Sequence, residues 1–315
     1  MIPIERLVNT LNTKALLLGL LTVLIWGSTF AANSYSLQGG FSAGHLLLFR
    51  FIVASIIFAI IALIPSLNFR LPEKQDIWKI VLLGIVGING YHICATFGQL
   101  TISAGTAGML IGSGPIFTTI FAILILKERL SKIGWIGLAF GFAGISLIAI
   151  GSGDTAFGIA PGVFLTILAA IATSIFFVYQ KPLFKKYSAI ELTAYFTWVG
   201  TIPFLIFAPG LIEAVQTVPV EVNITAIYIG VFPTAIAYLT WAYALSQSNA
   251  SSISTVLYLE PVIAIIVAWI WLSELPKSIS IIGGIIAISS VILVNFYGKN
   301  QNTIKKIQLD PKKSS

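Results

Sequence analysis

Charge is scarce in this sequence. Lys, Arg, Asp and Glu make up 9% of 315 residues, against about 25% in a soluble domain. A water-soluble globular fold is therefore excluded. Cysteine is nearly missing: Cys94 stands alone in an apolar stretch. No disulfide can close within the chain, and no thiolate metal site can form. Histidine occurs twice, at 45 and 92, which rules out a multi-histidine metal cluster. No glycine-rich phosphate loop or ATP-driven motor motif is present, and no Ser/His/Asp set or paired acids fall at catalytic spacing. An enzyme, a metal and a cofactor are accordingly not expected.

Apolar residues dominate instead, at 57%, with a mean hydropathy of +0.97. A transmembrane helix needs about 20 mostly apolar residues. Ten such runs are readable, at roughly 15–36, 42–64, 77–98, 102–126, 132–151, 158–180, 190–210, 223–246, 250–272 and 278–297. The first is as long as a full span, and no small-residue cleavage site follows it, so a retained helix is expected rather than a cleaved signal. The expected division is a polar lead over 1–14, five helices over 15–151, five more over 158–297, and a basic, disordered tail over 298–315.

The net charge of +7 could suggest nucleic acid, but its distribution argues otherwise. With the N-terminus placed inside, sixteen of the 18 Lys and Arg residues fall on the inner links and termini. The outer links keep Lys277, and Arg50 lies within a span. That is the positive-inside pattern. It implies an inner (plasma) membrane protein with both termini cytoplasmic and no nucleic-acid partner.

Two stretches repeat. "PIFTTIFAILILKERLSKIGWIG" starts at Pro115 and "PVIAIIVAWIWLSELPKSISIIG" at Pro261. Gly84, Pro115, Glu128 and Gly137 map onto Gly230, Pro261, Glu274 and Gly283 at one constant offset. Each repeat holds five helices, an odd number, so the second lies inverted relative to the first. The basic "KERLSK" and the less basic "SELPKS" then sit on opposite faces, as the charge rule requires. Inverted repeats recur in secondary transporters, with the substrate site near the midplane between them. The motifs "WGSTF", "P-x12-ERLS", "G-x2-L-x2-G-x2-G" and "LEP-x12-E" resemble the drug/metabolite transporter superfamily, and within it the ten-helix EamA-type members. The resemblance spans about residues 12–298. It implies an all-α integral membrane fold of two inverted five-helix repeats, and export or exchange of small metabolites, often amino acids. One departure is visible. The sixth span reads "IATSIFF" where the family often carries a tryptophan, which puts aromatic lining on that side in question.

Candidate functional residues are the polar groups at membrane depth. Glu260 falls near the centre of the ninth span, where a carboxylate costs about 2.5–3.5 kcal/mol on insertion scales. It reads either as a proton-coupling or substrate-amine site, or as an acid bonded to a backbone carbonyl freed by Pro261. Its repeat mate is Gly114, so the acid exists in one half only. Arg50 reads as a ligand for a substrate carboxylate, as a structural clamp, or as a side chain that snorkels outward. His92, with Tyr91 and Asn89 beside it, reads either as a helix–helix bond or as a proton relay. Trp26, Tyr238 and Trp241 are cavity aromatics or packing. Pro115 and Pro261 each remove a helix hydrogen bond at mid-membrane and are candidate hinges. Glu128 and Glu274 are expected to end helices and to bond the start of the next one, with Ser131 and Ser278 as N-caps.

The expected function is a secondary transporter that moves a small molecule by alternating access, amino acids first, with proton coupling through Glu260. Export of drug-like amphiphiles and uncoupled facilitation are alternatives within the class. A lipid-acting intramembrane enzyme would need clustered acids or histidines at one depth. A non-transporting assembly subunit would need no cavity at all.

Overall fold

A computed structural model describes residues 13–117, 120–121, 131–152, 159–247 and 253–297. The fold is all-α. In chain order the helices are α1 (Thr13–Gln38), α2 (Ala43–Ala62), α3 (Ile77–Gly98), α4 (from Ala104–Ile111 onward), α5 (Lys132–Gly151), α6 (Pro161–Gln180), α7 (Ala189–Phe204), α8 (Val220–Gln247), α9 (Val256–Leu272) and α10 (Ser278–Tyr297). Seven helices among the described residues are long and apolar enough to cross a bilayer, and Val256–Leu272 of α9 and Ser278–Ser290 of α10 are further apolar stretches. Glu128 lies outside the described residues, as do the tail and nearly all of the lead.

Serine caps set several helix starts. Ser42, Ser103, Ser131 and Ser188 each accept a hydrogen bond from the backbone N–H three residues on. This satisfies a donor that the first helical turn leaves orphaned. Ser278 does not act this way. Helix α10 starts on the Lys277 carbonyl, which accepts from the Ser280 and Ile281 amides, so Ser278 is already inside the first turn. The link after α7 holds a short helix, Leu211–Thr217. As a result α8 begins at Val220 rather than at 223. Asn223 donates to the Val215 carbonyl at 2.8 Å and ties the short helix to α8.

The repeat is visible as contact. Ser55 bonds Thr201 at 2.8 Å and His92 bonds Tyr238 at 3.1 Å, and both pairs are 146 residues apart. Residues that correspond under the repeat meet each other, so a pseudo-twofold axis passes between them. Helices α5 and α10, also mates, pack along one another. A Cβ on Gly144 would lie 2.7 Å from the Gly283 carbonyl oxygen, and one on Gly283 would lie 2.6 Å from that of Gly144. Only glycine permits that approach.

Both mid-membrane prolines sit differently from the expectation. Helix α4 breaks at Gly112–Ser113 and resumes at Gly114. A 3-10 stretch, Ser254–Leu259, precedes the α-helical part of α9, Glu260–Leu272. Pro115 and Pro261 therefore occupy the first turn of a restarted helix, where a missing N–H costs little. They follow the breaks rather than create a kink. The Pro261 ring seats on Gly112, where a Cβ would lie 2.1 Å from its Cγ. Two further irregularities fall at equivalent places: π-turns over Ile85–Gly90 in α3 and Gly230–Ile236 in α8.

Candidate functional site

The π-turn of α8 organises the centre of the molecule. Pro233 lies inside it and has no N–H to give to the Ile229 carbonyl four residues back. That carbonyl accepts from the Thr234 hydroxyl, at 2.8 Å. The Thr234 oxygen in turn accepts from Arg50 Nε at 3.0 Å. The Pro233 carbonyl accepts from Trp26 Nε1 at 3.2 Å. The π-turn thus holds both a buried arginine and a tryptophan.

Arg50 is 1% exposed, so it does not snorkel. No carboxylate among the described residues pairs with it, and its Nε bond to Thr234 is the one hydrogen bond its guanidinium makes to them. The Phe51 ring lies 5.8 Å from its Cζ. Tyr91, His92 and Tyr238 all lie within its electrostatic reach. Glu260, 6% exposed, lies within reach of the same two tyrosines. Among the described residues nothing hydrogen-bonds to its carboxyl. The alternative in which a freed backbone carbonyl satisfies it is not what the geometry shows.

Around these charges stands an aromatic wall. Trp26 packs edge-on to Tyr238 at 5.3 Å and lies 5.6 Å from Trp241. Phe177 stacks on Trp26 at 6.1 Å and 11°. The α6 side therefore has its aromatic after all, supplied by phenylalanine within "IATSIFF". His92 bonds the Tyr238 hydroxyl and meets Phe51 and Tyr91 edge-on.

The structure does not bring Asn89 to this group. It lies in the π-turn of α3 and donates to the Gly200 carbonyl of α7 at 2.8 Å. Glu274 also differs from expectation. Ser273 adopts a left-handed conformation, φ 56°, which ends α9, and Glu274 then accepts from Gln38 at the end of α1, at 3.1 Å. It bonds the first helix rather than the start of the next. Thr234, Pro233 and Phe177 escaped the sequence reading, as did a buried neutral network between α1 and α3. There Asn33 donates to Gln99, and Gln99 donates to Ser34 and the Phe30 carbonyl. A proline followed by threonine in mid-span was the available signal for the first two.

The links at one end carry charge. Arg70 pairs with Glu191 at 3.2 Å, and Lys186 pairs with Asp76 at 2.8 Å and Glu73 at 3.4 Å. The Tyr187 hydroxyl donates to Asp76, and the Tyr195 hydroxyl donates to the Arg70 carbonyl. This end is called the basic end below. At the other end a pocket of about 480 Å³ opens between Phe41, His45, Phe97, Leu100, Phe207 and their neighbours.

A multi-pass helical bundle with a two-fold repeat and buried, unpaired charges at its centre is the build of a membrane carrier. Sequence comparison gives the family. Residues 13–150 and 160–296 each match the EamA-like transporter family, and the chain belongs to it. An uncharacterized transporter of Bacillus subtilis, YdfC, is 34% identical over 95% of each chain. A protein of Streptantibioticus cattleyicolor named "Probable terminal-alkyne amino-acid exporter" is 33% identical over 90% of this chain and 94% of its own. A solved structure covers 90% of this chain and 96% of its own with a TM-score of 0.63, at 18% identity. That last likeness speaks to the fold alone.

Proposed function

We propose that this transporter exports or exchanges amino acids across the plasma membrane by alternating access, with both termini cytoplasmic. One observation carries the reading. Arg50 and Glu260 are both more than nine-tenths buried, are left without an ion-pair partner by the described residues, and lie within electrostatic reach of the same two tyrosines, Tyr91 and Tyr238. A buried charge without a partner is costly, and an occupant with a carboxylate and an amine would offset both costs at once. The printed name of the Streptantibioticus relative supports the same class of cargo. The two repeats would rock about the axis marked by the His92–Tyr238 and Ser55–Thr201 pairs. The breaks ahead of Pro115 and Pro261 and the two π-turns are the places where the helices would bend.

The absence of a hydrogen-bond partner for Glu260 among the described residues also favours a second role, as the group that takes up a proton during exchange. Proteoliposomes loaded at two internal pH values and offered a panel of labelled amino acids test both. Transport that depends on the pH difference in wild type and is lost or decoupled in Glu260→Gln, with folded protein retained, is the expected result. Normal pH-dependent uptake by that variant would remove the proton role. Unchanged apparent affinity in Arg50→Ala would remove the carboxylate role.

A further inference from the structure

We infer that Thr234 is a positioning residue that commits Arg50 to end-on capture of a carboxylate. The inference rests on the amino-acid reading above and adds a geometry to it. A guanidinium offers five N–H donors in a fixed fork. A carboxylate can meet it side-on, through Nε and one Nη, or end-on, through both Nη atoms. Thr234 removes the first choice, because its oxygen already holds the Nε–H at 3.0 Å. The hydroxyl has a single proton, and that proton goes to the Ile229 carbonyl at 2.8 Å. What faces Arg50 is therefore a lone pair. The carbonyl lies at the start of the π-turn, five residues before the hydroxyl that bonds it. Both Nη atoms are left without a hydrogen bond from the described residues. The chain of cause runs from a carbonyl at the start of the π-turn, to a hydroxyl aimed by that carbonyl, to an arginine aimed by the hydroxyl.

The repeat sharpens the point. The mates of Pro233 and Thr234 are Gly87 and Ile88, and the mate of Arg50 is Phe196. The first repeat has a π-turn in the same place but neither the proline nor the hydroxyl, and the residue of the second repeat that would face it is Phe196 instead of an arginine. The π-turn belongs to the shared scaffold, whereas the proline–threonine pair of the second repeat and the arginine of the first meet on one side of the axis only.

The test uses purified full-length protein in proteoliposomes, with counterflow of each of the twenty labelled L-amino acids. The best one is then competed against its own carboxamide. Thr234→Val keeps the shape and loses the hydroxyl. It should raise the apparent KM for the amino acid about tenfold, leave Vmax within about twofold, and erase the preference over the carboxamide. Thr234→Ser should restore all three. A purely structural role would lower Vmax or yield without changing that preference. A Thr234→Val protein with wild-type KM, or a Thr234→Ser protein that fails to restore it, overturns the assignment while leaving the amino-acid reading intact. Where Thr234→Val does not run as a single species, Thr234→Ala is judged by the same criteria. No counterflow by wild type with any of the twenty, or an unchanged KM in Arg50→Ala, overturns the underlying reading and this inference with it.

Discussion

The two ends of the bundle are built on one scaffold and closed by different chemistry. At the basic end Ser188 caps α7, and at the other end its mate Ser42 caps α2. The side chains around those caps then diverge. Glu191 and Tyr187 reach Arg70 and Asp76, while their mates are His45 and Phe41. Phe41 is buried among Val218, Val222 and Ala226, and His45 bonds the Pro209 carbonyl at 2.9 Å. Asp76 corresponds to Val222 and Lys186 to Gly40. So one end is held by ion pairs and tyrosine hydroxyls, the other mostly by apolar burial. The difference teaches what inversion permits. The backbone repeats because packing demands it, but each end answers to its own surroundings. On the alternating-access reading, the charged closure opens by hydrating its ions, and the apolar one opens by exposing Phe41.

The largest expected effect comes from emptying the apolar closure. Phe41→Ala should cost about 3–5 kcal/mol, read as a lower thermal midpoint of the detergent-purified protein by tryptophan fluorescence, with no dependence on salt. A midpoint within a degree of wild type would mean that Phe41 is not what holds that end. Next is Glu191→Gln, which removes the charge of the capping box and the partner of Arg70. It should cost about 1 kcal/mol, and less of that should be visible at high salt.

Salt itself is the third probe. About 1 M NaCl shortens the screening length to about 3 Å. The midpoint gap between wild type and Asp76→Asn should narrow there, while the gap for Phe41→Ala stays constant. Equal narrowing of both would erase the distinction between the ends. The smallest effect is in pH. The Lys186 hydrogen bond holds the Asp76 carboxyl below its ordinary value, and Asp76 holds the Lys186 ammonium above its own. A lowered acid stabilises above its unfolded value and loses that contribution as pH falls through the folded one. A raised lysine loses its contribution as pH rises through its folded value. The gap between wild type and Asp76→Asn should therefore be flat through neutral pH, shrink below about pH 4, and shrink again above the ordinary lysine range. A gap that varies between pH 6 and 8 would show that another group controls this end.

Much of this architecture was readable from residue order. The ten runs, the constant offset and the buried polar residues all follow from hydropathy and spacing, because a bilayer rewards long apolar segments and penalises charge wherever it falls. Glu260 and Arg50 announced themselves that way. Thr234 did not, since a threonine in a helix is ordinary until a π-turn carbonyl aims its hydroxyl. Phe177 was hidden for a similar reason: stacking on Trp26 depends on how α6 lies against α1. The prolines were legible as residues, but the breaks at Gly112–Ser113 and in Ser254–Leu259 that precede them were not, because those depend on how the helices pack. Glu274 went to α1 because the left-handed Ser273 redirects the chain, which no spacing rule foretells.

Residue order alone thus settled a ten-helix membrane chain, doubled at a constant offset, with one acid and one arginine stranded at depth. Those features depend on local apolar length and on charge, and both are properties of the string. The Thr234 contact of Arg50 was decided by packing across the pseudo-twofold axis. There the helices of one half meet those of the other, and residues far apart in the chain share a few ångströms of low-dielectric space.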